Sequence, residues 1–432
     1  MKKWKLFICL LMAWGSSSCQ QQKEVDYMKS KHILVAQAIK SPSEIKASDY
    51  FQSIEYIPLE ITNECPIADN SKVRLLKEKI LIYNTAFKQC FLFDRKTGQF
   101  LCSIGHIGND PESVSYIVPW LNYEKDLICL GGWKNVLQLF KSDGSYQGGI
   151  KIPDFDHFRV ERDFLFLQDS SIIQYYSRFG STDRYLRFFK NKTTTNKINI
   201  PIGDSIVPTI KDLYSVTAVN GTYSGEEDKD YGVRYYSPRN INEISLEYFK
   251  QEEVATVDIR TSPFWQTGNN YYFKENYNDT IFQIKETSLY PAFILDLGNQ
   301  HWDKADCFKW KKDKSILVTN ILDCNNFLLV SCVIHPFDYE GFESYNILWN
   351  KNSGHTIAAP IKDGITNDIY PFMNLHLLAV SPEGDFADMI PAEDILEWFT
   401  MNDTTSLADN IKTLRNLKED DNPVVVIMKT KE

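Results

Sequence analysis

One hairpin unit recurs along the chain and constrains its fold more than any other feature. In residues 90–105, CFLFDRKTGQFLCSIG, two short apolar strands flank a polar turn. Phe91 and Phe93 alternate with Leu92 and Asp94, and Gly98 ends the turn, where a positive φ is needed. The same plan returns at 136–152 around Ser142-Asp143-Gly144, at 183–200 around residues 191–196, at 279–297 around Glu286-Thr287-Ser288, and at 344–361 around residues 350–354. Two further strand-like runs precede each of the first three hairpins: 73–76 and 79–83, 116–121 and 126–130, 164–167 and 172–176. Those hairpins start at 90, 136 and 183, a period near 47 residues with four strands in each.

Four strands at that period are the pattern of a β-propeller. A lone four-stranded sheet cannot bury both faces, so it stacks on neighbours in a closed ring that also shields strand edges. The period breaks over residues 204–260, which read as an insertion with an acidic loop at 224–230 and a helix-like run at 242–252. Only 213–219 and 231–236 look strand-like there. A fourth repeat spans 263–297. A partly helical insertion at 301–314 precedes a fifth at 315–359, and 375–381 starts a sixth. Residues 391–399 and 407–417 read as helices, and 422–428 as a terminal strand expected to pair with or beside 51–60. The expected fold is all-β: a six-bladed propeller with four-stranded blades, small helical insertions and a short C-terminal helical segment before the closing strand. Counting 204–260 as a blade gives seven.

The chain has 432 residues and a net charge of −10, which disfavours nucleic acid as a partner. Its 26 Phe and 23 Tyr favour strands. At the N-terminus, Lys2, Lys3 and Lys5 precede an apolar run, 6–14, too short to span a bilayer. Gly15-Ser16-Ser17-Ser18 then leads to Cys19. This resembles a bacterial lipoprotein signal, with Ser16 where Leu is usual. The resemblance implies a signal peptide over 1–18, lipid on Cys19 and a lipidated tether over 19–45, with the propeller over 46–432. It also implies an outer-membrane address, periplasmic or surface-facing, with membrane contact through the lipid anchor only. An ordinary secretory signal with Cys19 incidental is the alternative. Seven cysteines follow Cys19, without a CxxC, so neither a zinc site nor a dense disulfide framework is indicated. A Cys90–Cys102 bridge depends on the hairpin register.

Four segments carry a wider resemblance: YIPLE at 56–60, FDRKTGQFLCSIGHIGNDPE at 93–112, NDTIFQI at 278–284 and DNPVVVIMK at 421–429. In that order they are similar to the six-bladed β-propeller lipoproteins of Bacteroides and relatives, whose blades resemble NHL-type repeats. The resemblance implies binding or scaffolding rather than a defined reaction. Related propellers often carry glycine where Asp110 stands.

Catalytic constellations are sparse. Gly105-x-x-Gly108 follows a strand but opens no helix and lacks Lys-Ser/Thr, so it reads as an inter-blade turn. The seven histidines form no HExxH, and no GxSxG occurs. No catalytic residue, metal ligand or cofactor is assigned. The candidate ligand-binding residues are His106, Asn109 and Asp110 in one loop, with Trp120 and Trp133 as aromatics able to stack on a ligand if exposed. The expected function is a lipid-anchored envelope module that binds an unidentified ligand or protein partner. The alternative is an envelope enzyme acting on a glycan through loops at the propeller face.

Overall fold

The computed structural model describes residues 31–152, 160–178, 184–190, 193–200, 208, 212–219, 244–251, 254–259, 261–310, 314–337 and 342–431. Strand β1 (Lys31–Ile33) leads through helices α1 (Val35–Ile39) and α2 (Ala47–Tyr50) into β2 (Phe51–Pro58). Three antiparallel four-stranded meanders follow. The first is β3 (Lys72–Leu75), β4 (Lys79–Asn84), β5 (Gln89–Asp94) and β6 (Phe100–Ser103). The second is β7 (Val114–Asn122), β8 (Leu127–Gly132), β9 (Val136–Lys141) and β10 (Tyr146–Lys151). The third is β11 (Val160–Phe166), β12 (Ile172–Arg178), β13 (Arg184–Lys190) and β14 (Thr193–Asn199). Apolar alternation builds them: in β5 the sequence CFLF is buried on both faces, because each face meets a neighbouring sheet.

A three-stranded sheet comes next, β15 (Leu213–Val219), β16 (Ile244–Phe249) and β17 (Ala255–Ile259). Then β18 (Phe264–Thr267), β19 (Asn270–Phe273), β20 (Thr280–Lys285) and β21 (Ser288–Leu295) form a meander that β1 extends, parallel to β21. Another is β22 (Ile316–Asp323), β23 (Phe327–Ile334), β24 (Glu343–Asn350) and β25 (Thr356–Pro360). The last sheet joins both ends of the chain. Strand β26 (Ala379–Val380) pairs with β27 (Phe386–Ile390), helices α3 (Ala392–Met401) and α4 (Asp409–Lys412) intervene, and β28 (Val424–Thr430) lies between β27 and β2. The expected pairing of the terminal strand with 51–60 is met within one sheet, with Ile54 opposite Met428 and Tyr56 opposite Val426.

The apolar core is a circuit of inter-sheet clusters. Leu81 and Leu92 meet Ile128 and Leu130; Trp120 and Cys129 meet Phe164 and Ile172; Ile173 and Phe188 meet Phe264 and Phe273. Onward, Ile281 and Leu295 meet Leu328 and Val330, Phe327 and Leu329 meet Phe386 and Val426, and Val425 and Ile427 meet Val73 and Ile80. The circuit returns to its start, and the chain is a β-propeller. Gly98 shows the expected turn chemistry: its φ is +72°, and a Cβ there would lie 2.0 Å from the Pro58 carbonyl oxygen.

Two expectations change. Within the run 242–252 expected to be helix-like, 244–249 is a central strand, because ISLEYF alternates and pairs with β15 and β17 on its two edges. In 375–381 only Ala379–Val380 is strand. The Cys90–Cys102 bridge, which depended on the register, does not form: Leu92 stands opposite Cys102, and the Cys90 carbonyl accepts from the Ile104 N–H at 2.8 Å. The two thiols are diagonal neighbours, typically about 7 Å apart at Cβ, against about 4 Å in a disulfide, and both are free. Residues 1–30 and the acidic loop 224–230 lie outside the described residues, as does the strand-like run 231–236.

Candidate functional site

The two ends of the ring differ. At the end where the first and second strands of each sheet turn, polar side chains link each sheet to the next. Lys79 donates to Ser142 Oγ at 2.9 Å. Lys125 donates to Ser170 Oγ at 2.7 Å, and Gln168 bridges to Glu124 at 3.1 Å and Asn269 at 3.2 Å. Thr267 Oγ1 and Trp265 Nε1 donate to Asp323 at 2.8 and 3.2 Å, and Lys351 reaches the same buried carboxylate at 2.5 Å. Asn326 donates to the Lys431 carbonyl, and Arg95 pairs with Asp385. The Gly268 N–H also donates to the Pro382 carbonyl at 3.0 Å, skipping one sheet. Apart from the Lys351–Asp323 pair, which lies within one sheet, each linkage ties different sheets, so this end is drawn together.

The opposite end carries the long connections: 59–71, 104–113, 296–315, 361–378 and the helical segment 391–423. Here the structure brings together most of the expected residues. His106 Nε2 and Asp110 Oδ2 are 2.6 Å apart, and this contact holds the exposed Asp110 carboxyl below the usual carboxylate range. The Trp133 indole N–H donates to the Gly108 carbonyl at 2.8 Å, which pins a half-exposed ring beside the same loop. Asn109 is exposed on that loop. Phe87, 66% exposed, lies in the turn between β4 and β5 at this end.

Trp120 is not on that surface. It is 6% exposed, edge-on to Phe164 and Tyr116, between the second and third sheets. Its side chain hydrogen-bonds Asp163. Trp302 is likewise core, at 1% exposure.

Asp163 marks a convergence that the sequence reading missed. It lies mid-strand in β11, an innermost strand, and accepts from the Phe164 N–H at 2.9 Å, with the side chains of Ser262 and Trp120 close by. Burial pushes its carboxyl up to about 6, against the pull of these donors and of the Arg74 charge. Arg74, mid-strand in β3, donates to the Val73 carbonyl at 3.1 Å and lies 5.7 Å from the Tyr83 ring centre. Its charge also reaches Tyr123, whose hydroxyl burial nonetheless pushes up to about 12. Thr261 Oγ1, just before β18, donates to the Thr319 carbonyl of β22 at 2.7 Å. Nearer the looped end, the fully buried Glu275 is held by Lys304 at 2.5 Å and Arg184 at 3.5 Å, and burial lowers the neighbouring Lys274 to about 8.

In sequence neither residue stood out: Arg74 keeps the polar–apolar alternation of KVRL, and Asp163 follows Glu161 and Arg162 in VERDFLF. Among the described residues, no helix is long and apolar enough to cross a membrane.

Residues 30–429 match the family model described as "Domain of unknown function (DUF4934)". No curated protein matches the chain. Among solved structures, one of a Bacteroides fragilis NCTC 9343 protein described as exported superposes with a TM-score of 0.57 at 14% identity, covering 93% of this chain and 99% of that one. The RRP9 WD40 repeats (TM-score 0.37, 9% identity, 90% and 100% covered) are more distant. So is a PQQ-bound aldose sugar dehydrogenase from Streptomyces coelicolor (0.34, 11%, 87% and 98%). Both are too remote to carry an argument.

Proposed function

We propose, for a chain that belongs to the DUF4934 family, that it is a lipid-anchored envelope module which binds a ligand at the looped end of a six-bladed ring. The observation that carries this reading is the polar and aromatic cluster at the looped end, where His106 Nε2 and Asp110 Oδ2 lie 2.6 Å apart and the half-exposed Trp133 donates to the Gly108 carbonyl of the same loop at 2.8 Å. Groups from different strands presented together at one end of a ring are what a binding site requires. The linked turns at one end favour access from the other, where Trp133, Phe87 and the His106–Asp110 pair are exposed.

The count of six rests on the core circuit and the polar linkages, both of which pass directly from β11–β14 to β18–β21. The sheet β15–β17 packs instead through Leu246 and Val257 against Leu317, Val333 and Trp302, outside that circuit. The insertion reading of 204–260 follows from this placement.

Lipid attachment at Cys19, the 1–18 signal and the outer-membrane address rest on the sequence pattern. Replacing Cys19 with Ala and fractionating cells tests them: the variant should leave the membrane fraction, and unchanged membrane association would remove the anchor from the account.

Binding is tested by calorimetry on residues 27–432 against envelope glycans and peptides. Stoichiometric binding that weakens about tenfold in Trp133→Ala or His106→Ala fits the looped-end site. Binding indifferent to both, and to Asp163→Asn, would move the site elsewhere. The enzymatic alternative draws on Asp163 as an acid.

A further inference from the structure

We propose that the half-exposed Trp133 ring at the looped end receives a lysine or arginine side chain from a basic segment of a partner polypeptide, with Asp110 and Glu112 taking its charge. This rests on the binding reading above and names its ligand chemistry.

The ring comes first. Trp133 lies in the single 3-10 turn Trp133–Asn135 between β8 and β9. Its N–H, the one polar group of an indole, is already spent on the Gly108 carbonyl at 2.8 Å. The exposed part of the ring is therefore π surface with no donor left to satisfy. That hydrogen bond also holds the ring, so docking orders little that was free. Such a surface attracts a cation, and indole does so more strongly than the rings of Tyr or Phe.

Charge then selects the occupant. A Cβ on Gly108 would lie 3.0 Å from Asp110 Oδ2 and 3.3 Å from the His106 ring. The indole nitrogen and the Asp110 carboxylate thus sit on either side of one residue, within roughly 10 Å of each other, a span that one bound side chain and its flanking backbone can cover. Asp110 accepts from the Glu112 N–H at 3.0 Å and meets His106 at 2.6 Å, which leaves about half of its acceptor positions open. Glu112 is exposed, and among the described residues neither carboxylate meets a lysine or arginine. The loop 104–113 itself contains none. The wider field agrees. The five long connections at this end, 59–71, 104–113, 296–315, 361–378 and 391–423, hold 19 Asp and Glu against 9 Lys and Arg, a formal −10 that equals the charge of the whole chain. Such a field draws in a basic partner and repels an acidic one. Phe87, the other exposed aromatic on the first two sheets at this end, has the exposed Lys88 beside it, so the cation belongs over Trp133.

The full chain, purified in a non-ionic detergent, is titrated calorimetrically with acetyl-Gly-Lys-Gly-Lys-Gly-amide, with its arginine counterpart, and with the same peptide carrying acetyl-lysine, which keeps the shape and removes the charge. Neutral oligosaccharides are titrated in parallel. At least one cationic peptide should bind about tenfold or more tighter than the acetyl-lysine peptide, and raising sodium chloride from about 0.05 to about 0.3 M should weaken it at least about threefold. Trp133→Ala should weaken it about fivefold, and Trp133→Phe less. Asp110→Asn combined with Glu112→Gln should remove most of the salt dependence. Glu286→Gln, in the turn between β20 and β21 at the linked end, should change nothing. Near-ultraviolet circular dichroism shows that each variant retains its packing. Equal affinity for charged and acetylated peptides, full binding by Trp133→Ala, a loss in Glu286→Gln as large as at Asp110, or no binding of either cationic peptide at millimolar concentration overturns the proposal. If neutral oligosaccharides bind in a Trp133-dependent way and the cationic peptides do not, the binding-module reading stands and this one falls.

Discussion

Removing residues 422–432 takes out β28, the strand that joins the two ends of the chain in one sheet. Val424, Val425, Val426, Ile427 and Met428 are all 0% exposed, and they feed the clusters on both faces of that sheet. Burying one such side chain fully contributes about 1.5–3 kcal/mol. The strand as a whole is thus worth roughly 7–15 kcal/mol, an upper estimate because unfolded chains already bury some surface. Net stabilities of folded domains are about 5–15 kcal/mol. The truncation should therefore lose cooperative unfolding, seen as a collapsed near-ultraviolet signal and a shallow urea transition. Adding a peptide of residues 422–432 in trans should restore part of the signal. A truncated protein that unfolds cooperatively at the parental urea midpoint would refute the reasoning, since the ring would then not depend on this strand.

Three other outcomes follow from the same contacts. Asp323→Ala strands the largely buried Lys351 cation and should cost about 3–5 kcal/mol in urea unfolding, whereas Asp323→Leu combined with Lys351→Met should cost clearly less; equal losses would mean that the pair is not coupled. Asp163, raised to about 6, holds a proton in the folded state that the unfolded chain releases near pH 4, so its contribution is full below about pH 4 and is lost as pH rises through about 6. Asp163→Asn should remove that loss, on the order of 2 kcal/mol between pH 4 and 7; parallel stability curves for parent and variant would contradict the assignment. Under aerobic conditions Cys90 and Cys102 should both remain alkylatable after unfolding, and an intact-mass deficit of two hydrogens mapped to this pair would contradict the register.

Most of the ring was legible because its repeats are local. The hairpin at 90–105 announces itself through alternation and Gly98, and the same logic found the terminal strand in VVVIM. Residues 242–252 misled because Leu246, Glu247 and Tyr248 are compatible with either periodicity. The pairing that makes 244–249 a strand lies with the nearby β17 and with β15, which ends at Val219, far back in the sequence. The looped-end residues His106 and Asp110 were found through one inter-blade loop, since sequence neighbours there remain neighbours in space, and Trp133 was named separately as an aromatic. The buried surroundings of Asp163 were not found, because they depend on how sheets far apart in sequence stack and no spacing encodes that. Trp120 was named for stacking on a ligand but is core, packed edge-on to Phe164.

The central claim is that this propeller binds without converting what it binds. The direct measurement is to incubate the protein with the tightest ligand from the calorimetric screen at equimolar concentration and follow bound and free ligand over many hours by mass spectrometry. The account predicts one bound ligand per ring, recovered chemically unchanged, with the bound fraction reduced in Trp133→Ala. Steady product formation that disappears when a single carboxylate such as Asp163 is changed would contradict it and make the protein an enzyme.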